Sequence, residues 1–271
     1  MRFGTSSPLA YDSAENWART QTELGCRAVV FPVQSDAPEK TIIEYKEAAD
    51  KAGLLVAEVG VWRNALAADP DERKKNMDYC VEQLRLADYV GARCCVNVAG
   101  SFGPIWDGAY RENFTPEARK KTIETVREVI DRANVKTTFF TLEPMPWMIP
   151  TSPRDYAKLL DEVERDRFAV HMDVINMISS IERYFKPEEF VDECVEILGS
   201  KIRSCHIKDV HLSGAYTTRL EECAPGCGEF PLKYYISAMD SIDHDMPVIL
   251  EHLSTDEEYY KYMAYLKELI K

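Results

Sequence analysis

Eight times along the chain a short apolar run gives way, through a turn, to a helical pattern. This alternation limits the fold more than any other feature. The runs are Arg2–Ser6, Ala28–Phe31, Leu54–Val61, Arg93–Val98, Thr137–Leu142, Phe168–Met172, Ile202–Ile207 and Pro247–Leu250. Helical patterns lie between and after them, at about Ala14–Leu24, Lys40–Ala52, Asp71–Val90, Pro116–Ala133, Pro153–Glu164, Pro187–Leu198, Pro231–Met239 and Thr255–Ile270. Pro116, Pro153 and Pro187 follow Thr115, Ser152 and Lys186, where a first-turn proline is tolerated. Thr255 with Glu258 makes a capping box. Strand-then-helix alternation implies parallel strands joined by right-handed crossovers. Eight such units without a long linker favour the α/β class and a closed (β/α)8 (TIM) barrel, one catalytic domain over residues 1–271. No G-x-G-x-x-G follows the first run, which removes the main reason to expect an open dinucleotide-binding sheet.

Composition agrees with a folded enzyme and narrows its partners. Hydrophobic residues make up 45% of the 271, an ordinary globular share. No apolar run nears the roughly 20 residues that span a bilayer, and the opening MRFGTSSPLAYDSAE lacks a signal-peptide core. The expectation is a cytoplasmic protein without membrane contact. The eight cysteines, at 26, 80, 94, 95, 194, 205, 223 and 227, form no C-x-x-C pair, so reduced and mostly buried thiols are expected. A net charge of −13 argues against long contacts with nucleic-acid phosphates. It places no limit on a small neutral sugar, and a homo-oligomer stays open.

In a barrel of this kind functional side chains gather at the C-terminal ends of the strands. Each of the last four runs ends in, or carries, a metal-capable residue. TTFFTLE ends in Glu143, FAVHMD in Asp173, IRSCHIKD carries His206, and PVILEH brings Glu251. One charged residue past a strand is usually solvated or paired. Four in register on consecutive strands point instead to a mixed oxygen and nitrogen site for Mn²⁺, Mg²⁺, Co²⁺ or Zn²⁺. Proton removal next to a carbonyl makes an enediolate, whose negative oxygen a divalent cation stabilises. A carboxylate on one face can remove the proton while one on the other face returns it. Glu143 and Glu251, on the fifth and eighth runs, could flank a substrate in that way, and the sequence leaves open which of them abstracts.

The motifs LEPMPW (142–147), VHMDVIN (170–176), SCHIKD (204–209), APGCGEF (224–230) and ILEHL (249–253) occur in an order that resembles the xylose-isomerase-like barrel superfamily. Within it, they look like the branch of sugar-phosphate isomerases/epimerases and ketose 3-epimerases, along essentially the whole chain. The resemblance implies a metal-dependent sugar isomerase or epimerase. Glu143, Asp173, His206 and Glu251 match its metal ligands, with Mn²⁺ the first choice, and the two glutamates match its acid/base pair.

Other residues divide between site and scaffold. Trp62 and Trp147 are candidate walls for a sugar ring, with loop packing the alternative, and Arg63 and Asn64 follow Trp62. Lys208 is expected to face inward, either on a substrate hydroxyl or in a salt bridge to Glu143 or Glu222. His171, two before Asp173, reads as a core or supporting histidine. Asp209 and His211 are expected in a loop, and Pro225, Gly226 and Gly228 in a tight turn beside the mouth. Two positions depart from the ketose 3-epimerase pattern. Asn176 stands where a histidine is usual, and Glu222 where an arginine is, with Arg219 three residues upstream. Both are expected to contact substrate and to shift its choice while leaving the metal site intact.

Three other functions compete. A lyase or deglycosidase on 3-keto-glycosides shares the first proton abstraction, but Met145 stands where such relatives tend to place a histidine base. A non-catalytic sugar-binding barrel would have no need of four intact ligands. A DNA-cleaving zinc cluster needs more histidines than the five present, of which His244 and His252 fall off the inward register.

Overall fold

Runs that are apolar throughout, without alternation, suit parallel strands covered on both faces. The computed structural model describes residues 1–6 and 9–271, and among the described residues there are ten strands. They are β1 (Arg2–Thr5), β2 (Ala28–Val30), β3 (Leu55–Gly60), β4 (Cys94–Asn97), β5 (Phe140–Leu142), β6 (Phe168–Met172), β7 (Ile202–Ile207), β8 (Asp209–Leu212), β9 (Leu220–Cys223) and β10 (Pro247–Leu250). Every residue of β4, β6 and β10 is buried. Eight strands pair in parallel in the order β1-β10-β7-β6-β5-β4-β3-β2. The ring closes where Arg27 N donates to Phe3 O across 2.7 Å. Gly4 permits that approach, since a Cβ there would collide with the Ala28 carbonyl oxygen. The eight parallel strands thus make a nearly closed barrel with helices around it, as the alternation requires.

Local signals place the helices. Thr115 and Ser152 accept from Ala118 N and Asp155 N at the starts of Pro116–Ala133 and Pro153–Val163. Thr255 and Glu258 form the capping box of Asp256–Leu269. Among the described residues no helix is long and apolar enough to cross a membrane. Six cysteines are buried, Cys223 is half-buried, Cys227 is exposed, and all eight are free.

Two segments differ from expectation. The fifth strand begins at Phe140 rather than Thr137, because Asp88 Oδ1 accepts from Thr137 N (2.7 Å) and Thr138 N (3.1 Å). Those N–H groups are thereby taken out of the sheet. The stretch after Lys208 is not a loop but an antiparallel hairpin, pairing Asp209 with Cys223 and Leu212 with Leu220.

Candidate metal centre

The last four barrel strands converge on one buried cluster. Glu143, Asp173, His206 and Glu251 offer ligand atoms that all lie within 4.8 Å of one another. His206 Nδ1 is the hub, 3.0 Å from Glu251 Oε2, 3.5 Å from Glu143 Oε1 and 3.7 Å from Asp173 Oδ2. This nitrogen is buried and makes no hydrogen bond. A bare imidazole lone pair facing three carboxylates is repulsive, so the group needs a positive charge at its centre. A proton on Nδ1 supplies one, and a divalent cation supplies a larger one to a donor set suited to it. The residues therefore fit a divalent metal.

Local structure fixes each side chain. Glu143 N donates to Asn97 O (2.8 Å), which holds the end of β5 against β4. Behind it the buried Tyr156 hydroxyl accepts from Leu142 N (3.1 Å) and donates to Leu142 O (2.7 Å). Asp173 opens the short helix Val174–Met177, its Oδ1 accepting from Asn176 N at 3.0 Å. Asn176 then turns back, and its Nδ2 donates to Glu143 Oε1 across 2.9 Å.

Lys208 is buried and lies between acids. Its Nζ is 2.7 Å from Asp173 Oδ2, 2.7 Å from Glu251 Oε1 and 3.2 Å from Glu222 Oε2. Its salt bridge thus includes Glu222 as one of the two expected partners, while Glu143 is replaced by Asp173 and Glu251. Glu222 also meets His252 Nδ1 at 2.9 Å, which joins the hairpin to the end of β10. His252, off the inward register, still stands at the mouth, its Nε2 3.5 Å from Glu251 Oε2.

These surroundings separate the two glutamates. Burial pushes the Glu143 carboxyl up to about 7, with His206 opposing. Burial also raises Glu251, but His206 and Lys208 outweigh it and hold the group at about 2. Asp173 is likewise held far below the carboxylate range by Lys208 and His206 in spite of its burial. His206, which burial alone would depress, is raised well above the ordinary imidazole range by Glu251, Glu58 and Glu143.

A cavity of about 450 Å³ adjoins the cluster, lined among others by Trp147, Asn176, Thr218, Leu220 and Glu222. Three of the residues expected to contact substrate therefore share one cavity. Trp62 is not among its lining residues. Its backbone has φ 52°, and its indole covers Gly60 so closely that a Cβ there would collide with Nε1. Asn64 is also structural, donating to Ser101 O across 2.8 Å. Asp209, expected in a loop, is buried and accepts four backbone N–H groups. Val210 and Phe230 reach Oδ1, and Gly226 and Gly228 reach Oδ2, all at 2.8–3.0 Å. It thereby shapes the Pro225–Gly228 turn, where a Cβ on Gly228 would collide with the Val210 carbonyl oxygen. His211 pairs with Glu221 (3.2 Å) away from the cluster.

Sequence reasoning missed Glu58, which is buried inside β3 and meets His206 Nε2 at 3.3 Å and His171 Nδ1 at 3.2 Å. The available signal was a lone carboxylate within the apolar run LLVAEVGV.

Comparison with known proteins agrees with this architecture. A curated relative, the probable endonuclease 4 of Persephonella marina, is 23% identical over 243 residues, covering 86% of this chain and 81% of its own. Endonuclease IV from Thermus thermophilus superposes with TM-score 0.76 at 14% identity, covering 100% and 99% of the two chains. The 3-keto-D-glucoside 4-epimerase from E. coli gives TM-score 0.72 at 16% identity and 99% coverage of both. A xylose isomerase-like TIM barrel protein from Mycobacterium smegmatis, solved in complex with magnesium, gives 0.70 at 17% identity, covering 98% and 93%. At these identities the superpositions establish the fold alone. The profile of the xylose isomerase-like TIM barrel family matches residues 16–269. The chain belongs to the xylose isomerase-like TIM barrel family.

Proposed function

We propose that the protein is a divalent-metal-dependent sugar isomerase or epimerase that moves a proton next to a carbonyl. The observation that carries this reading is the ring of three carboxylates about the buried, unbonded His206 Nδ1. Glu143, Asp173, His206 and Glu251 would hold the metal, with Mn²⁺ first and Mg²⁺, Co²⁺ or Zn²⁺ as alternatives. A bound divalent cation supplies Lewis-acid stabilisation of the negative oxygen that develops on the substrate. Two carboxylates whose surroundings differ this much suit opposite halves of a proton exchange. Glu251, paired with Lys208, starts ionised and takes the proton from carbon. Glu143, beside the neutral amide of Asn176 and ionised once the metal is bound, takes up a proton from solvent and gives it to the same carbon from the other side.

The cavity lining supports an uncharged substrate. Among the described residues that line it, Glu222 is the one charged side chain. A phosphate there would meet a carboxylate and no free cation, since Lys208 is committed to three acids. Trp147, Leu220 and their apolar neighbours favour a sugar face or a small aglycone. Asn176 and Glu222 are the residues we expect to set which sugar is accepted.

The test is a screen of ketoses, inosose-like polyols and 3-keto-glycosides with the metal-loaded protein in D₂O. Deuterium entering next to the carbonyl is the expected result, and no exchange with any of them would refute the reading. The 3-keto-glycosides also address the second reading, elimination after the same first step; the fold shared with the 3-keto-D-glucoside 4-epimerase supports including them as substrates, there for epimerisation. Release of aglycone would select it. The likeness to endonuclease 4 raises DNA cleavage as a third reading. One histidine in the four-residue cluster and a net charge of −13 count against it.

A further inference from the structure

We infer that Glu58 is a positioning residue, which fixes the proton on His206 Nε2 and so presents Nδ1 to the metal. This inference rests on the metal reading above. Glu58 lies mid-strand in β3, across the barrel from β7, and is 2% exposed. A carboxylate buried this deeply has to be matched by charge or hydrogen bonds. Among the described residues its close polar neighbours are two histidines, His206 with Nε2 3.3 Å from Oε1 and His171, which burial lowers to about 4, with Nδ1 3.2 Å from Oε2. The contact with His206 also has hydrogen-bond geometry.

Neutral imidazole carries one N–H. A ring that turns the lone pair of Nδ1 toward a cation must therefore keep its proton on Nε2, and the acceptor of that proton sets the ring's orientation. Glu58 Oε1 occupies the acceptor position. His171 packs edge-on against the same ring, with centroids 4.1 Å apart at 77°, and limits its rotation. One carboxylate thus holds the working histidine from behind, while Glu143, Asp173 and Glu251 face its other nitrogen. Glu58 stands outside the four-ligand cluster and the cavity, and on this inference it acts through His206; a metal held instead by Glu58, His171 and His206, whose ligand atoms also lie within 4.8 Å of one another, would leave no proton on His206 Nε2.

The experiment compares the parent with Glu58→Gln and Glu58→Leu. Zn²⁺ affinity is measured by competition with a chromogenic chelator, and the histidine N–H groups by ¹H–¹⁵N spectroscopy. Supporting partners of a ligating histidine are typically worth about 10–100-fold in metal affinity. Glu58→Leu is expected to lose that much, and also the hydrogen-bonded, slowly exchanging Nε2 proton of His206. Glu58→Gln keeps an acceptor oxygen but drops the charge, and is expected to fall between Leu and parent. A folded Glu58→Leu with unchanged affinity and an unchanged Nε2 proton would overturn the inference. If Glu58→Leu does not fold, Glu58→Gln decides, with parental affinity and parental proton exchange as the overturning result. If the parent itself binds no divalent metal, the metal reading fails. The Nε2 proton of the metal-free protein then decides on Glu58: protection in the parent lost on substitution supports its role, and no protection in the parent overturns it.

Discussion

Lys208 donates to Glu251 Oε1 across 2.7 Å, with both side chains withdrawn from solvent. The same ammonium lies 2.7 Å from Asp173 Oδ2, so two of the four proposed ligands share one fixed cation. Removing one partner of a buried ion pair leaves the other charge uncompensated, at a cost of about 3–5 kcal/mol. Lys208→Met should therefore lower the stability of the metal-free protein by about that amount. Added Mn²⁺ should restore part of it, because a cation at the cluster compensates the same carboxylates. Thermal unfolding with and without Mn²⁺ checks both effects.

Metal binding should be pH-dependent with a definite sign. Burial places the Glu143 carboxyl at about 7 in the folded chain, above its ordinary 4.5. A group raised on folding stabilises the metal-free protein at low pH, and that contribution is lost as pH rises from about 4.5 through 7. A metal requires Glu143 ionised and His206 Nδ1 free, so protons leave as it binds. Affinity should thus rise with pH through neutrality. Calorimetry in buffers of different ionisation enthalpy should show protons released, and their number should fall above about 7 as Glu143 becomes ionised beforehand.

Substrate choice should move without loss of metal. Asn176 donates to Glu143 Oε1 and Glu222 accepts from His252, and both line the cavity. Asn176→Ala and Glu222→Ala are expected to change the ranking of accepted sugars while metal content stays near the parent's. Phosphorylated sugars should be poor substrates of the parent and improve in Glu222→Ala, since a carboxylate is removed from the lining. Competition assays with paired neutral and phosphorylated sugars read this out.

The two glutamates should fail differently. Glu251→Gln removes the ionised base, so deuterium exchange and net conversion should both fall, by about 10²–10⁴-fold. Glu143→Gln removes the proton donor on the other side, so inversion should fall while exchange of the proton facing Glu251 persists. Metal content measured on the same samples separates lost chemistry from lost metal. Equal exchange and conversion rates in both variants and the parent would reduce both residues to ligands.

Much of this architecture was legible in the sequence for local reasons. Helices opening on Thr115-Pro116 and Ser152-Pro153 carry their start signals within four residues, and four ligand-type side chains recur at or near the C-terminal ends of successive barrel strands. The unread parts depend on distant partners. Asp88 draws Thr137 and Thr138 out of the sheet from 49 and 50 residues away. Lys208 chooses among acids from three different elements. The hairpin Asp209–Leu212 with Leu220–Cys223 is held by Asp209 accepting N–H groups up to 21 residues downstream. Glu58 gave only a break in an apolar run, because its partners His171 and His206 come from β6 and β7 across the barrel.

Crystals soaked in Mn²⁺, with the ion located by anomalous scattering, test the central claim most directly. One ion per chain is expected, with at least three of Glu143, Asp173, His206 and Glu251 within about 2.0–2.6 Å and His206 bound through Nδ1. An ion bound elsewhere, or fewer than three of these residues within that distance, would contradict it.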